Sequence, residues 1–211
     1  MCRTATRVLR LAIVACAATT SPTVVRADDY QDCNQSSEPV RAVQGCSKLI
    51  ARGARESRQN RQNAYVKRGN AYERLGRYKL ALPDFSNAIR LAPDQPQAYF
   101  NRGLTLRLLG RNEEAIEDFS RVMVIRPRDA SAYFMRGMTY AMIGNSTAAI
   151  DDLGRAIELE PNQTEAYYLR GLVHKRTGRR DLAVADFQAA VKIDPDHARA
   201  LEMLQALGAA L

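Results

Sequence analysis

The sequence predicts an all-α solenoid of four helix-turn-helix units with a capping helix at each end. One pattern recurs every 34 residues between positions 65 and 195, and self-similarity at such a period is typical of repeat architectures. Each unit has two apolar stretches at helical spacing, the first ended by a glycine and the second by a proline. Because isolated helices below about 12 to 15 residues are marginal in water, stacking must stabilise them.

Eight positions of the repeated unit keep the same character throughout. In the first helix a glycine faces an alanine of the second helix, so the two backbones can approach closely while larger side chains fill the space beside them. The rows are Tyr65, Tyr99, Tyr133 and Tyr167; Arg68, Arg102, Arg136 and Arg170; Gly69, Gly103, Gly137 and Gly171; Gly76, Gly110, Gly144 and Gly178; Ala81, Ala115, Ala149 and Ala183; Asp84, Asp118, Asp152 and Asp186; Phe85, Phe119, Leu153 and Phe187; and Pro93, Pro127, Pro161 and Pro195.

These rows resemble the tetratricopeptide repeat family over Gln62 to Ala198. The resemblance implies a right-handed superhelix whose first helices line a concave groove, which usually docks peptides or helices. Leu106 and His174 replace a tyrosine of the pattern, and Val122 replaces an alanine. These departures affect local packing and leave the predicted fold unchanged.

The expected organisation has seven parts. They are a cleavable signal peptide at 1–27, an N-terminal helical cap at 28–61, four repeats at 62–95, 96–129, 130–163 and 164–197, and a capping helix at 198–211. Val40 to Ala51 is predicted as a helix of the second type, so the N-terminal cap is an eroded repeat. Glu56 to Asn63 is polar and is expected to be a connector. Solenoids need such caps because their terminal internal faces would otherwise meet water.

The N-terminal segment has the features of an export signal. Three early arginines precede the apolar run Leu11 to Ala18, and small residues near Ala27 suit cleavage there. The run is far shorter than the roughly 18 residues that a membrane span needs. We therefore expect a periplasmic or secreted protein; a buried N-terminal helix is the alternative. Cys16 ends a stretch that resembles a bacterial lipoprotein box, so membrane anchoring is expected only if Cys16 is lipidated.

Cleavage after residue 27 would leave two cysteines, Cys33 and Cys46. In an oxidising compartment we expect them to form a disulfide, which would stabilise the cap by about 3 kcal/mol in the chain-entropy account. Two reduced buried thiols are the alternative. A metal site is not expected, because no histidine is near in the sequence.

The charge of the chain argues against nucleic acid as a partner. The 211 residues carry 31 basic and 23 acidic side chains, a formal net charge of +8. The first 27 residues hold four of the arginines and no acid, so the remainder carries +4. Acidic and basic residues are expected to be interleaved on a solvated surface, and no aromatic and basic interleaving suited to stacking bases is present.

Catalytic, cofactor and metal sites are not expected. The sequence has no HExxH or CxxC motif, nucleophile elbow or phosphate loop. Its two histidines are His174, at a core position of the repeat, and His197, after a proline that ends a helix. We predict a structural role for both, and hence neither an enzyme nor a binder of small-molecule substrates.

The arginine and aspartate rows lie at the border of the core, where an unpaired charge is costly. Pairing of each arginine with an aspartate, within a repeat or between neighbours, is the expected arrangement. The alternative is a ring of open arginines that binds an anionic ligand.

A partner-binding groove is expected one helical step beyond the tyrosine row, on the face that is concave in the resembled family. It would be apolar in the middle and polar toward its ends, with methionines suited to adaptable contacts. The alternative is that these residues are contacts between successive first helices, or are covered by the C-terminal helix. The candidates are Val66, Asn70, Phe100, Asn101, Leu104, Arg107, Phe134, Met138, Met142, Tyr168, Leu172 and Lys175.

Some members of the resembled family grip a peptide's terminal carboxylate with asparagines and cations. Asn70 and Asn101 match the asparagines, but the cationic positions fall on Val66, Ser131 and Met135. We therefore do not expect binding of this kind.

The sequence thus favours a scaffold or adaptor of the cell envelope that binds a peptide or helix of another protein. The alternatives are self-association through the ends of the solenoid, suggested by the apolar Leu201 to Leu211, and a lipid-anchored adaptor for cell-wall enzymes.

Overall fold

The computed structural model describes residues 27–209, which form α-helices and one short 3-10 turn, with no strand in that range. The predicted signal sequence up to residue 26, with Cys16, lies outside the described residues, as do residues 210 and 211. The helices are α1 (Ala27–Cys33), α2 (Pro39–Ala51), α3 (Arg58–Arg74), α4 (Tyr78–Leu91), α5 (Pro96–Leu108), α6 (Asn112–Ile125), α7 (Ala130–Met142), α8 (Ser146–Leu159), α9 (Thr164–Arg176), α10 (Arg180–Ile193) and α11 (Ala198–Ala206), with the 3-10 turn at Gly53–Arg55.

Each helix packs mainly on its neighbours in sequence, which confirms the predicted helix-turn-helix solenoid. The tightest pairs are α3 with α4, α5 with α6, α7 with α8 and α9 with α10, and each pair packs on the next. Helices α5 to α10 fall inside the predicted units 96–129, 130–163 and 164–197. We call α3, α5, α7 and α9 the first helices, and α4, α6, α8 and α10 the second helices.

Glycine ends each first helix in the same way. Gly76 adopts φ +69°, a conformation that side chains with a Cβ rarely take. The turn lets the N–H of Arg77 donate to the carbonyl oxygen of Tyr72 at 2.8 Å, which satisfies one of the last carbonyls of α3. At the other end of the unit, α4 stops at Leu91, two residues before Pro93. These two residue types set where the helices of each repeat end.

The glycines in the middle of the first helices, such as Gly69 and Gly103, allow the two helices of a unit to touch. A Cβ at Gly103 would lie 2.8 Å from Cε1 of Phe119, and one at Gly69 would lie 2.6 Å from Cε1 of Phe85. Both rings are fully buried. The sequence predicted that these glycines face the alanine row; the structure corrects this, because the nearest atoms belong to the large apolar row, and that contact forms the core of each unit.

The N-terminal cap is a helix pair joined by a disulfide. Cys33, at the end of α1, is bonded to Cys46 in α2, with 4.6 Å between their Cα atoms. Beside it lies a buried network in which Arg52 donates to Asp29 and Glu56 at 2.8 and 3.2 Å. The cap is thus held by covalent and ionic contacts as well as by a small apolar core.

The predicted connector at Glu56–Asn63 is wrong, because α3 begins at Arg58. Ser57 caps this helix: its Oγ accepts a hydrogen bond from the N–H of Asn60 at 3.0 Å. The polar composition of the segment reflects an exposed first turn and not a loop.

The C-terminal helix α11 closes the other end, as expected. Leu204 is fully buried against the fourth unit, and Leu207 is half-buried beside it. The described part of this apolar tail is therefore turned largely inward. Within residues 27–209, no helix combines the length and hydrophobicity that crossing a bilayer requires.

Candidate partner-binding surface

The arginine row forms ion pairs within each unit, which confirms the pairing expected from the sequence. Arg136 Nε donates to Asp152 Oδ2 at 2.7 Å, and its terminal nitrogen donates to Oδ1 at 2.8 Å. The other three pairs have the same bidentate geometry: Arg68 with Asp84, Arg102 with Asp118 and Arg170 with Asp186. The hydrogen bond to Asp152 raises the pKa of Arg136. These four arginines are neutralised and do not form an open anion site.

The remaining nitrogen of these arginines links neighbouring units. Arg102 donates to Ser86 Oγ at 3.0 Å, and Arg136 donates to Ser120 Oγ at 2.8 Å, each serine belonging to the preceding second helix. Gly154 stands at the equivalent position before Arg170 and offers no hydroxyl. Each linkage thus consists of an arginine, its aspartate and a serine of the preceding unit. The linkage at Arg170 lacks the serine.

Two aromatic residues of the predicted groove lie in the core. Phe134 is 6% exposed and Tyr168 is 7% exposed. Tyr168 is also covered from the C-terminal side, with Arg199 4.7 Å from its ring centroid and the ring of His197 at 5.1 Å. The structure therefore corrects the sequence-based prediction at these two positions: both rings stabilise the stack and neither offers an open contact surface.

Phe100 is the aromatic residue of the predicted groove that stays half-buried. One side of its ring meets Phe119 edge to face at 5.7 Å between centroids. Phe100 also lines a cleft of about 190 Å³, together with Gln97, Val122 and Ser131. This cleft is large enough for a single side chain of a partner.

The two predicted asparagines bind each other. Asn101 Nδ2 donates to Asn70 Oδ1 at 2.7 Å, and Asn101 Oδ1 accepts a hydrogen bond from Gln97 at 2.7 Å. Asn101 is buried. This contact crosses from α3 to α5 and ties the two first helices together.

The other candidates lie on the surface that α3, α5, α7 and α9 present away from the second helices, which we call the first-helix face. Those in its middle are half-buried, whereas Met142 is 57% exposed. The half-buried members are Val66, Leu104, Arg107, Met138 and Leu172. Lys175 is exposed at the C-terminal end of α9. The exposed candidates therefore lie at the C-terminal ends of α7 and α9.

Cations on this face contact sulfur and not carboxylate. Arg107 lies 3.0 Å from Met138 Sδ and 3.9 Å from Met142 Sδ, and Lys175 Nζ lies 3.4 Å from Met203 Sδ. Thioether sulfur is a weak acceptor. The Nε atom of Arg107 is buried and has no hydrogen-bond partner. Both cations therefore keep most of their capacity to bind a stronger acceptor.

A second cleft, beside α3, was not predicted. It has a volume of about 190 Å³ and lies between the loop after α1 and helix α3. Its polar walls include Asn34, Ser36, Lys67 and Arg74, and its floor includes the disulfide at Cys33. A signal for it was present in the sequence: Lys67 is three residues before Asn70 and Arg74 is four residues after it, so the three side chains share one side of a helix.

The net charge differs between the two kinds of helix, so the expected interleaving of acidic and basic residues is absent from the first helices. The four first helices carry 11 basic and 2 acidic residues, a net of +9. The four second helices carry 6 basic and 10 acidic residues, a net of −4. The four buried ion pairs account for part of this difference. Without them the first helices keep 7 basic and 2 acidic residues, and the second helices are balanced at 6 and 6.

Glu73 is one of the two acidic residues of the first helices. It accepts a hydrogen bond from the hydroxyl of Thr105 in α5. Burial raises its pKa. The other, Glu165, pairs with Arg199 of α11. Both carboxylates thus have partners inside the protein.

His174 is a packed core residue, as predicted. It is 6% exposed, its Nδ1 has no partner, and its Nε2 lies 3.9 Å from Asp186 Oδ2. Burial lowers the pKa of this imidazole. Over the described residues, His, Cys, Asp and Glu side chains do not come together in groups of three or more that could hold a metal ion.

Comparison with known proteins places two long stretches of the chain in one sequence family. The family model described as tetratricopeptide repeat matches residues 66–130 and 134–198. No curated protein sequence matches the chain significantly.

Solved structures share the fold. The crystal structure of MamA has 22% identity and a TM-score of 0.73, over 82% of this chain and 98% of that chain. YrrB, described as a TPR protein with an unusual peptide-binding site, has 24% identity and a TM-score of 0.72, over 82% and 87%. The first TPR of Spaghetti, solved with an HSP90 peptide, has 20% identity and a TM-score of 0.52, over 54% and 90%.

Proposed function

Because the chain belongs to the tetratricopeptide repeat family, we propose that it is a non-enzymatic scaffold or adaptor that holds a segment of another protein on its first-helix face. Proteins of this family are in general interaction modules. One observation carries the proposal: this face combines half-buried apolar side chains with Arg107 and Lys175, whose contacts within the protein are methionine sulfurs. An apolar surface rimmed by cations without strong acceptors is suited to a protein segment.

Two structural neighbours supply an analogy for this role. YrrB is described as having a peptide-binding site, and the Spaghetti repeat was solved with a bound peptide. A shared fold does not by itself fix a ligand. The analogy therefore supports peptide binding as the class of function and leaves the site to be argued from the residues of this chain.

We further propose that the protein acts outside the cytoplasm, in the periplasm or after secretion. The support is the export-type N-terminus together with the Cys33 to Cys46 disulfide, since disulfides persist mainly in oxidising compartments. Sequencing the N-terminus of the mature protein tests this. Aspartate at position 28 would support cleavage after Ala27, a modified Cys16 would indicate a lipid-anchored adaptor, and an intact Met1 would contradict export.

Site-specific photo-crosslinking in living cells tests the docking face. A photoreactive amino acid at Leu104 lies on the first-helix face, and one at Val124, which is 68% exposed on α6, serves as the control. We expect a discrete adduct with another protein from position 104 and none from position 124. Absence of an adduct at Leu104, or equal adducts at both sites, would contradict the proposal. An adduct only between two copies of this chain would favour self-association.

A further inference from the structure

One position of the repeat combines exposed apolar and cationic side chains. It lies at the C-terminal end of the first helices and is occupied in turn by Arg74, Leu108, Met142 and Arg176. Leu108 and Met142 are each 57% exposed, and the two arginines are exposed as well. The two middle units thus present apolar side chains at this position, and the two outer units present guanidinium groups.

Contacts between units hold this edge together. Arg107 of the second unit reaches the sulfurs of Met138 and Met142 in the third. Arg176 of the fourth unit donates to the carbonyl oxygen of Ala141 at 2.8 Å and to Ser146 Oγ at 3.2 Å, both in the third. The cationic groups are therefore positioned before a partner arrives, which reduces the entropy lost on binding.

The helices α5, α7 and α9 offer these cations no acidic side chain at this edge. Of the acids that follow in the first turns of α6 and α10, Glu114 pairs with Arg111 and Asp181 with Arg180. Helices α5 and α7 contain no aspartate or glutamate, and the single acid of α9 is Glu165 in its first turn, at the other end of the helix. Among the described residues, Arg74, Arg107, Lys175 and Arg176 form no ion pair. Carboxylate is the acceptor that these groups lack.

We propose that the C-terminal ends of α5, α7 and α9 bind an acidic amphipathic segment of a partner protein. Its apolar side chains pack on Leu108 and Met142, and its carboxylates pair with Arg107, Lys175 and Arg176. This inference rests on the proposed function and adds the chemistry of the partner. It concerns side-chain carboxylates, since Asn70 and Asn101 are bonded to each other away from this edge.

Nucleic acid fits the same surface less well. Recognition of single strands uses exposed aromatic rings on which bases stack, and the exposed large side chains at this edge are Leu108, Met142 and Ile143. A phosphate backbone gains nothing from burying them. Nucleic acid is therefore an outcome that the experiment must distinguish.

Selection from a random peptide library displayed on phage tests the chemistry without a known partner. The purified full-length protein is the bait, and peptides are sequenced before and after selection. We expect enrichment of peptides in which Leu, Met or Phe residues are flanked by Asp or Glu. A synthetic peptide of the most enriched sequence, labelled with fluorescein, then serves as the probe in fluorescence anisotropy.

Matched variants locate the binding surface. Arg107→Glu and Lys175→Glu should each weaken binding of the labelled peptide by about tenfold, whereas Arg121→Glu makes the same charge change on the exposed surface of α6 and should leave it unchanged. Leu108→Ser should weaken binding by about fivefold, whereas Val124→Ser, also exposed on α6, should not. Because all five positions lie outside the buried core, circular dichroism should show an intact fold for each variant.

Several results would overturn the inference. They are enrichment of basic or uncharged peptides, absence of any enriched peptide, equal binding by Arg107→Glu and Arg121→Glu, and displacement of the peptide by an equimolar single-stranded oligonucleotide. If photo-crosslinking at Leu104 still captures a partner in any of these cases, only the partner's chemistry is wrong. If that crosslink is also absent, the proposed function fails as well.

Discussion

Arg136 and Asp152 form a bidentate ion pair across the third unit, and the same arginine donates to Ser120 of the second. Asp152 is 5% exposed, so removing the guanidinium leaves a buried carboxylate without its main partner. We expect Arg136→Met to destabilise the protein by about 3 kcal/mol. The double variant Arg136→Met with Asp152→Leu should be milder than this single change, as measured by urea denaturation.

A double-mutant cycle gives the outcome that would contradict this account. If the two changes add within about 0.5 kcal/mol, the residues are energetically independent, and the pair seen in the structure does not stabilise the fold. Arg155→Met, which breaks an exposed pair with Glu158, is the control and should change stability very little.

Two glycines inside helices should respond in opposite directions to the same substitution. At Gly103 a new Cβ would lie 2.8 Å from the buried ring of Phe119, whereas at Gly154 it would lie 3.5 Å from Arg170. Gly103→Ala should destabilise the protein by about 1 to 2 kcal/mol through overpacking, and Gly154→Ala should stabilise it by about 1 kcal/mol through helix propensity. Thermal unfolding of both variants measures this; the same sign for both would contradict the packing described.

Serine at position 154 should restore the missing linkage between units. Ser86 and Ser120 accept a hydrogen bond from the following arginine at the equivalent positions. Serine has a lower helix propensity than alanine by about 0.5 kcal/mol, and a hydrogen bond contributes about 1 kcal/mol. We therefore expect Gly154→Ser to be at least as stabilising as Gly154→Ala. A clearly lower unfolding temperature for the serine variant would show that Arg170 gains no bond from it.

Stability should depend on pH through His174. Burial lowers the pKa of this imidazole, and the nearby Arg170 and Arg179 act in the same direction, while Asp186 opposes them. The unfolded chain therefore takes up a proton first as the pH falls through about 6.5, and the folded state loses stability there. His174→Leu, which mimics the buried Leu106 of the second unit, should remove this loss. Urea unfolding at pH 7.5 and 5.5 compares the two proteins, and an equal loss in both would exclude His174 as its cause.

Removing the disulfide should destabilise the cap and spare the repeats. Cys33→Ser with Cys46→Ser should cost about 3 kcal/mol, and hydrogen exchange should increase in α1 and α2 more than in α5 to α10. Alkylation of the natural protein, purified from the cells that produce it, provides the control. Two free thiols in that protein would show that the bond does not form in its own compartment.

Much of the fold could be predicted because the residues that end each helix recur in all four repeats. Gly76 and its equivalents end the first helices, and Pro93 and its equivalents follow the second, so the C-terminal ends of the helices in the repeats could be predicted. The error at the start of α3 came from composition: polar residues on an exposed first turn look like a loop until the cap at Ser57 is recognised.

The candidate surface was only partly predictable. Helical periodicity identified the face but could not tell that Phe134 is buried between neighbouring units, because that depends on how closely successive helices pack. The difference in charge is not visible along the chain, because it appears only when residues are grouped by helix type. Summing the charges over the two kinds of helix would have separated the basic first helices from the balanced second ones.

The disulfide and the glycine at position 154 make the stack uneven along its length. The N-terminal cap is crosslinked by a disulfide, whereas the boundary before the last unit lacks the serine found at the two preceding boundaries between repeats. In a chain of nearest-neighbour couplings, such a difference sets where fraying begins. The last unit and α11 should unfold first, so the C-terminal end can unfold locally while the rest of the solenoid stays folded.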